Sequence, residues 1–401
     1  MNRRASTLCS LGCLVMWSAG VAAQEANGNA AAPGLLSKAI VWTESAFDGA
    51  ATGRDGFHPA FGELISGSGP SLGSGYRQHL FGSRALLDVS AEVSTRRYTA
   101  AQSTILWPNL AGGRVSLGAQ VKYHDFTAIN FFGIGANAQR DDQTNYRLRY
   151  VDIGGFATLP IGRRLTMTAR AGALRGTSLE RGTSTLVPAT ADRFDDEAAP
   201  GLSRQPNYLH ADFAIEADSR DVPGYPSRGG HYQFSAAAFH DADFGQYSFG
   251  RFEAEAAHYL PISPRSVLSV RGRLAVSTAA DGQQVPFYEL PALGNAHSLR
   301  GYSSYRFRDR DLVLFNVEYR WPLLRMLDGA IFWDAGNVAP TLAGLARRSL
   351  IADYGAGVRV HSKKRLIVRM DVARGREGMQ ALVSFSPVLT LSKPAILPYV
   401  P

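Results

Sequence analysis

Residues 114–123 read RVSLGAQVKY, and apolar and polar side chains alternate along the whole stretch. The same two-residue period recurs in LTMTARAGA at residues 165–173 and, with one break, in RLIVRMDV at residues 365–372. Because successive side chains of a β-strand point to opposite faces, each stretch predicts a strand with one apolar face and one polar, often charged, face. A soluble antiparallel sandwich would show the same period, so the period alone leaves the fold open.

The number and spacing of these segments favour a membrane barrel over a sandwich. Sixteen candidate strands, most about 10 to 13 residues long, begin near residues 57, 70, 84, 97, 114, 144, 164, 206, 229, 246, 265, 311, 328, 349, 365 and 378. Tight turns follow even-numbered candidates, at 159–163, 261–264, 322–327 and 361–364, whereas the longest loops, at 125–143, 175–205 and 278–310, follow odd-numbered ones. Short turns at one rim and long loops at the other are typical of outer-membrane barrels. We therefore predict an all-β fold, a transmembrane antiparallel β-barrel of about 16 strands.

Composition and the first residues indicate export. The chain has 401 residues, of which 45% are hydrophobic and only 19% charged, so wholesale disorder is excluded. Residues 1–23 predict a secretory signal peptide, with two arginines, an apolar core and small residues before a cleavage site at Gln24. Both cysteines, Cys9 and Cys13, lie in this segment, so the exported chain would have no disulfide and no zinc–cysteine site. The net charge of +8 fits nucleic acid or an anionic membrane surface, and export favours the membrane.

The predicted domain organisation follows from these segments. We predict a signal peptide at 1–23, a periplasmic linker at 24–52, an outer-membrane β-barrel at 53–386 and a Pro-rich C-terminal tail at 387–401. The linker is too short for a folded domain, and the prolines of the tail exclude a central strand. The predicted location is the cell outer membrane of a Gram-negative bacterium.

Several motifs match catalytic or metal-binding patterns by spacing alone. Residues 69–73 fit G-x-S-x-G, but no helical pattern follows them, and residues 133–138 resemble a dinucleotide-binding loop without a surrounding βαβ unit. We interpret residues 240–243 as a hairpin tip and residues 192–197 as a solvated acidic loop. For each segment, cation binding is the alternative. We predict no catalytic residues, no metal site and no cofactor, and therefore no enzyme.

Two further motifs lie before and within the thirteenth candidate strand. An aliphatic residue, Arg, Gly and an aromatic residue occur as Leu299, Arg300, Gly301 and Tyr302. An aromatic residue followed by Asp and Gly occurs as Phe332, Asp334 and Gly336. This pair of motifs resembles the bacterial surface antigen family, which comprises the barrel of the BamA/TamA outer-membrane assembly factors and their two-partner-secretion relatives. The resemblance covers roughly residues 55–386.

The resemblance implies a function and a set of partners. It implies insertion or translocation of proteins or lipids at the outer membrane, with outer-membrane lipid, lipopolysaccharide and client outer-membrane or secreted proteins as partners, and no nucleic acid. The chain ahead of the barrel leaves no room for the family's periplasmic POTRA domains. Three functions therefore stay open: insertion or export through a weak barrel seam, a passive diffusion pore, and a structural surface-antigen barrel.

The two motifs also predict a contact inside the barrel. A long outer loop folded into the lumen needs an anchor, and the guanidinium of Arg300 can bind a carboxylate through two hydrogen bonds. Asp334 shares a strand face with Phe332, so we expect both side chains to point inward and Asp334 to bind Arg300. Gly301 would allow a tight turn beside the wall. The alternative is that Arg300 is a loop arginine in solvent.

The last prediction concerns the seam, where the first strand must pair with the last to close the barrel. Glycine and proline weaken strand pairing, and few β-branched or aromatic residues are available to hold this junction. The predicted seam residues are Gly62, Leu64, Gly67, Pro70, Val383 and Phe385. We hypothesise that the seam opens sideways; the alternative is that the glycines fit turns or let a loop approach.

Overall fold

The computed structural model describes residues 55–385. The predicted signal peptide, linker and C-terminal tail, at 1–23, 24–52 and 387–401, lie outside the described residues. Within them, no helix has the length and apolar character that a membrane-spanning helix requires.

Sixteen strands form one antiparallel sheet in which neighbours along the chain are neighbours in space. They are β1 (Gly56–Glu63), β2 (Pro70–Leu80), β3 (Ala85–Ser94), β4 (Thr99–Asn109), β5 (Val115–Phe131), β6 (Thr144–Ile161), β7 (Leu165–Arg181), β8 (Tyr208–Asp218), β9 (Gly229–Asp241), β10 (Phe249–Ser263), β11 (Ser266–Thr278), β14 (Asp311–Leu324), β15 (Leu327–Ala339), β16 (Ile351–His361), β17 (Leu366–Gly375) and β18 (Gly378–Ser384). The sheet curls into a nearly closed barrel with one unsealed seam, between β1 and β18. The predicted sixteen-stranded β-barrel is confirmed.

Little regular structure lies outside the wall. Two short strands, β12 (Ala292–Leu293) and β13 (Phe307–Arg308), pair inside the loop between β11 and β14. One helical turn, α1 (Leu342–Arg347), follows β15, and single 3₁₀ turns occur at Arg140–Asp142, Thr190–Asp192 and Phe287–Glu289. The connection at Leu110–Gly113 is a compact turn, because Ala111 and Gly112 have left-handed backbone angles (φ 51° and 73°).

The two faces of the wall show why the alternating pattern forms a barrel rather than a sandwich. On β15, Trp333 is 43% exposed, whereas the next residue, Asp334, is fully buried. On β5, Leu117 and Val121 are likewise exposed, at 43% and 44%. A soluble sandwich would bury the apolar face and leave the charged face in water. The wall is therefore inside-out relative to a soluble sheet, with its apolar face suited to lipid.

Three strands are longer than the sequence pattern indicated. β5, β6 and β7 contain 17, 18 and 17 residues, so the loops predicted at 125–143 and 175–205 shrink to 132–143 and 182–207. Bulges interrupt the pairing where these strands extend, between Phe126 and Ile129 and between Arg149 and Val151. The extensions bury Phe126, Ile129 and Tyr146 in an aromatic cluster with the loop after β11. Contacts with that distant loop, rather than the local pattern, therefore lengthen the wall.

The two ends of the barrel differ as predicted. The three longest connections, 132–143, 182–207 and 279–310, lie at one end, and the seven turns at the other end contain between two and ten residues. The ten-residue turn at 219–228 reaches across the short-turn end. There the Tyr225 hydroxyl donates to Asp328 at 2.7 Å, and the Tyr225 ring stacks on His361 at 4.3 Å between ring centres.

Candidate functional site

The loop between β11 and β14, residues 279–310, folds into the barrel; we call it the lumen loop. Leu299 and Arg300 at its centre are completely buried. Leu299 packs in an apolar cluster with Leu314 on β14 and Val338 on β15. Because a loop exposed to water would not bury these side chains, the lumen loop is packed against the inner wall.

Arg300 is the centre of the contact between the lumen loop and the wall. Its Nε and Nη2 donate to the two carboxylate oxygens of Asp334 at 2.7 and 2.9 Å, and its Nη1 donates to Glu318 at 2.8 Å. The guanidinium also lies 3.3 Å from the ring centre of Phe332. Arg300 and Asp334 thus form a bidentate ion pair, which lysine could not form, and the Phe332 ring adds a cation–π contact. Asn316 donates to Asp334 at 2.8 Å and to the Ser298 carbonyl at 2.9 Å.

The Arg300 pair belongs to a larger charge network on four adjacent strands. Arg359 on β16 bonds Glu318 at 2.7 Å and Asp371 at 2.6 Å, and Arg369 on β17 bonds Asp371 at 2.8 Å. With Arg300 and Asp334, three buried cations face three buried carboxylates. Although burial opposes the charged form, the carboxylates of Asp334, Glu318 and Asp371 raise the pKa of Arg300 above its ordinary value. Since excess buried charge is costly, removal of any one member leaves this balanced network with one uncompensated unit of charge, even where the neighbours keep a partner.

Glycines allow the lumen loop to touch the wall directly. A Cβ on Gly301 would lie 2.6 Å from the Cβ of Asp353 on β16 and 2.7 Å from the backbone nitrogen of Gly375 on β17. A Cβ on Gly336 would lie 2.6 Å from the carbonyl oxygen of Val313 and 3.0 Å from the side chain of Leu293. The sequence predicted that Gly301 allows a tight turn, and the Tyr302 amide does donate to the Leu299 carbonyl across such a turn. The close approach of residue 301 to β16 and β17 is a second reason for glycine at this position.

The lumen loop also contacts both sides of the seam. His297 lies 3.6 Å from the carboxylate of Glu63, the last residue of β1. On the other side, Arg369 of β17 donates to the Ala296 carbonyl, and Arg306 of the loop bonds Glu377, next to β18, at 2.8 Å. Burial lowers the pKa of His297, with the charges of Arg369 and Arg271 acting in the same direction and Glu63 opposing them. The loop is therefore a bridge across the unsealed seam.

The structure places the predicted seam residues in three different positions. Gly62 and Leu64 lie at the end of β1, and Val383 and Phe385 at the end of β18, so these four residues flank the seam. A hydrogen bond of 3.3 Å from the Ser384 hydroxyl to Glu63 links the two edges.

The other two residues are not on the seam. Pro70 begins β2, which pairs with β1 and β3, so it lies one strand away from the open edge. Gly67 lies in the β1–β2 turn with φ 82°, and a Cβ there would lie 2.8 Å from the Ser304 hydroxyl of the lumen loop. Its role is thus close approach of the loop, the alternative that the sequence left open.

Sequence reasoning missed most of the charge network. Glu318 and Asp371 were not predicted as partners of Arg300, and Arg359 and Arg369 were not predicted as partners of these carboxylates. A signal was present, because β14, β16 and β17 each have two charged residues an even number of positions apart and therefore on one face: Glu318 and Arg320 on β14, Asp353 and Arg359 on β16, and Arg369 and Asp371 on β17. Which of these charges meet depends on the stagger between strands, and the sequence does not reveal that stagger.

The motifs with catalytic spacing take part in the wall and its turns. Ser71 of the G-x-S-x-G motif lies on β2 and donates to Glu92 at 2.8 Å. Asp241 accepts hydrogen bonds from four backbone amides of the β9–β10 turn and so holds that turn together. Within residues 55–385, no three His, Cys, Asp or Glu side chains are placed to hold a metal ion. The absence of enzyme activity stays a prediction.

The chain is similar to known proteins in family and in fold. A family model described as the Omp85 superfamily domain matches residues 80–374. No curated protein sequence matches the chain. A crystal structure of BamA from Haemophilus ducreyi lacking POTRA domains 1–3 is similar in fold, with a TM-score of 0.64 and 17% identity over 82% of this chain and 70% of that chain.

Two CdiB structures are more distant. CdiB from Acinetobacter baumannii gives a TM-score of 0.47 at 10% identity, and CdiB from Escherichia coli gives 0.49 at 11% identity. Each comparison covers 82% of this chain, and it covers 56% and 59% of the two CdiB chains.

Proposed function

The chain belongs to the Omp85 superfamily, and from this premise we propose that it inserts or translocates proteins or lipids at the outer membrane of a Gram-negative bacterium, through the seam between β1 and β18. The observation that carries the proposal is that no ladder joins β1 to β18 within residues 55–385, while every other pair of neighbouring wall strands is hydrogen-bonded. A strand edge without a ladder partner is a template for another extended segment.

The lumen loop supplies the physical means to control this edge. It contacts β1 through His297 and Glu63, and it contacts the opposite side through Arg306 and Glu377. As long as these contacts persist, the two edges are held at a fixed separation, and a client strand must compete only with a few side-chain bonds rather than with a complete ladder. The expected clients are outer-membrane or secreted proteins, in a setting of outer-membrane lipid and lipopolysaccharide.

A passive diffusion pore is the alternative function, and the filling of the lumen argues against it. The lumen loop buries Arg300 among the wall carboxylates, and Tyr225 reaches across the short-turn end. We therefore expect the wild-type barrel to conduct little in a planar bilayer, because conduction would require the lumen loop to leave. A structural barrel without transport would show neither conductance nor client insertion.

A disulfide across the seam tests lateral opening. The Glu63–Ser384 contact, continued along the antiparallel edges, would place Leu64 opposite Val383. The pair Leu64→Cys with Val383→Cys, in a mature chain free of native cysteines, should block insertion of a client barrel into vesicles when oxidised and restore it when reduced.

The matched control is Met370→Cys with Val383→Cys. These residues already face each other in the β17–β18 ladder, so the same number of cysteines is introduced without locking the seam. Full insertion activity of the locked seam, with crosslinking verified, would refute lateral opening. Loss of activity in both variants would attribute the loss to the crosslink itself and would likewise count against the seam.

A further inference from the structure

Charge is distributed unequally between the two ends of the barrel. The seven turns that follow β2, β4, β6, β8, β10, β14 and β16 form what we call the short-turn rim. The rim contains eleven Arg or Lys residues, with two in each of the β6–β7 and β8–β9 turns, three in the β16–β17 turn and one in each other turn. Its single acidic residue is Asp221, whereas the connections at the opposite end contain twelve basic and eleven acidic residues.

Several of these rim cations are available to a ligand. Arg163, Arg164, Arg265, Arg325 and Lys363 are exposed, and none of their side chains forms a hydrogen bond or ion pair with another residue of the 55–385 segment. The arginines of the lumen, in contrast, are paired with carboxylates or carbonyls. Like charges gathered at one rim repel each other, so an anionic partner would stabilise them.

Large exposed apolar side chains lie at the ends of three strands, next to the cations of the following turns. Ile161 lies two residues before Arg163, Ile262 three before Arg265, and Leu324 directly before Arg325, with exposed fractions of 42%, 58% and 63%. Such an alternation suits the boundary between acyl chains and headgroups, because the apolar side chain enters the hydrocarbon while the arginine extends to the phosphate. A protein partner in water would gain nothing from exposed apolar side chains placed in this way at three separate turns of the rim.

One place on the rim concentrates the charge further. A cavity of about 500 Å³ lies between the β6–β7 and β8–β9 turns, and Arg163, Arg164 and Arg228 are in its wall. The two carboxylates of that wall are already bonded within the β8–β9 turn, Asp218 to Arg220 at 2.6 Å and Asp221 to Ser227. Their charge is therefore partly compensated, and the free guanidinium groups leave the cavity suited to a phosphate.

We propose that the short-turn rim binds the phosphate groups of anionic phospholipids in the leaflet that surrounds it. The occurrence of at least one basic residue in every one of the seven turns matches a continuous membrane surface better than the footprint of a single protein. The proposal rests on membrane residence and not on the insertion activity, so the two can fail separately.

The experiment measures lipid selectivity of the full chain in vesicles of phosphatidylcholine containing spin-labelled phosphatidylglycerol or spin-labelled phosphatidylcholine. The wild-type barrel should associate with phosphatidylglycerol about twofold more strongly, averaged over both leaflets, and 0.5 M salt should remove the preference, as expected for basic side chains at an anionic surface. The variant R163Q/R164Q/R265Q/R325Q should lose most of this preference.

The matched control is R97Q/R347Q/R348Q/R376Q, which neutralises four exposed arginines at the opposite end and changes the net charge equally. It should keep the preference of the wild type. Heat-modifiable migration on a gel verifies that both variants are folded. Equal affinity of the wild type for the two lipids would overturn the proposal and favour an acidic protein as occupant, and so would a preference that is lost only in the control.

Discussion

Removal of the Arg300 guanidinium should release the lumen loop from the wall. In Arg300→Ala, Glu318 keeps its two bonds to Arg359, but Asp334 keeps only the bond from Asn316 and a 3.4 Å bond from the backbone amide of residue 300, and it becomes a buried carboxylate without a cation. Breaking a buried ion pair from one side costs about 3–5 kcal/mol. Asp334→Ala should cost less, about 2–3 kcal/mol, because Arg300 keeps Glu318 and the Phe332 ring.

The double variant distinguishes a direct pair from two separate effects. If Arg300 and Asp334 stabilise the loop through each other, the double variant should cost little more than Arg300→Ala alone, with a coupling free energy of about 1–3 kcal/mol. Asp281→Ala is the control, since Asp281 lies in the same loop, is exposed and has no side-chain hydrogen bond or ion pair in the described part of the chain. It should change the free energy of unfolding by less than about 0.5 kcal/mol.

Two measurements test these expected free energies. Urea unfolding from lipid vesicles gives the free energy of unfolding of each variant. Trypsin cleavage at Arg306 and Arg308, which are buried in the docked loop, reports the population of the released loop. A cost of about 3–5 kcal/mol corresponds to cleavage roughly 10²- to 4 × 10³-fold faster. Fully additive losses in the double variant, or unchanged protection of Arg306 in Arg300→Ala, would refute the reasoning.

Three other predictions follow from the same contacts. Because the pKa of His297 is lower in the docked loop than in an unfolded chain, the unfolded chain binds more protons near and below pH 6.5. The stability of the docked loop is therefore highest above that pH and declines as the pH falls through it. Protection from trypsin should decline in the same way in the wild type but not in His297→Gln. Gly301→Ala should cost about 1–3 kcal/mol through overlap with the wall, whereas Gly272→Ala, whose Cβ would meet only ring atoms at 3.8 Å, should leave the unfolding free energy nearly unchanged. The mature protein should be β-rich by circular dichroism, heat-modifiable on a gel and recovered with outer membranes; recovery as a soluble periplasmic protein would contradict the proposed location.

The sequence by itself determined the wall of this protein. Side-chain alternation is a local property of each strand, so RVSLGAQVKY and its equivalents predict strands wherever they occur. The contrast between short turns and long loops is equally local, and it was sufficient to predict the count of sixteen strands and the difference between the two ends. The Arg300 and Asp334 motifs were readable for the same reason, since each consists of neighbouring residues.

Only the tertiary structure decided what happens inside the wall and at its edge. Glu318 and Asp371 join Arg300 because the stagger of β14 to β17 brings three positions, distant in sequence, to the same level of the lumen. Likewise, only the assembled sheet shows that β1 and β18 have no ladder between them within residues 55–385, and that His297 lies beside Glu63, 234 positions earlier in the chain. A two-residue period tells which face of a strand a side chain occupies, but not which residue of a non-adjacent strand or of the lumen loop it meets, so neither the charge network nor the open edge could be predicted from it.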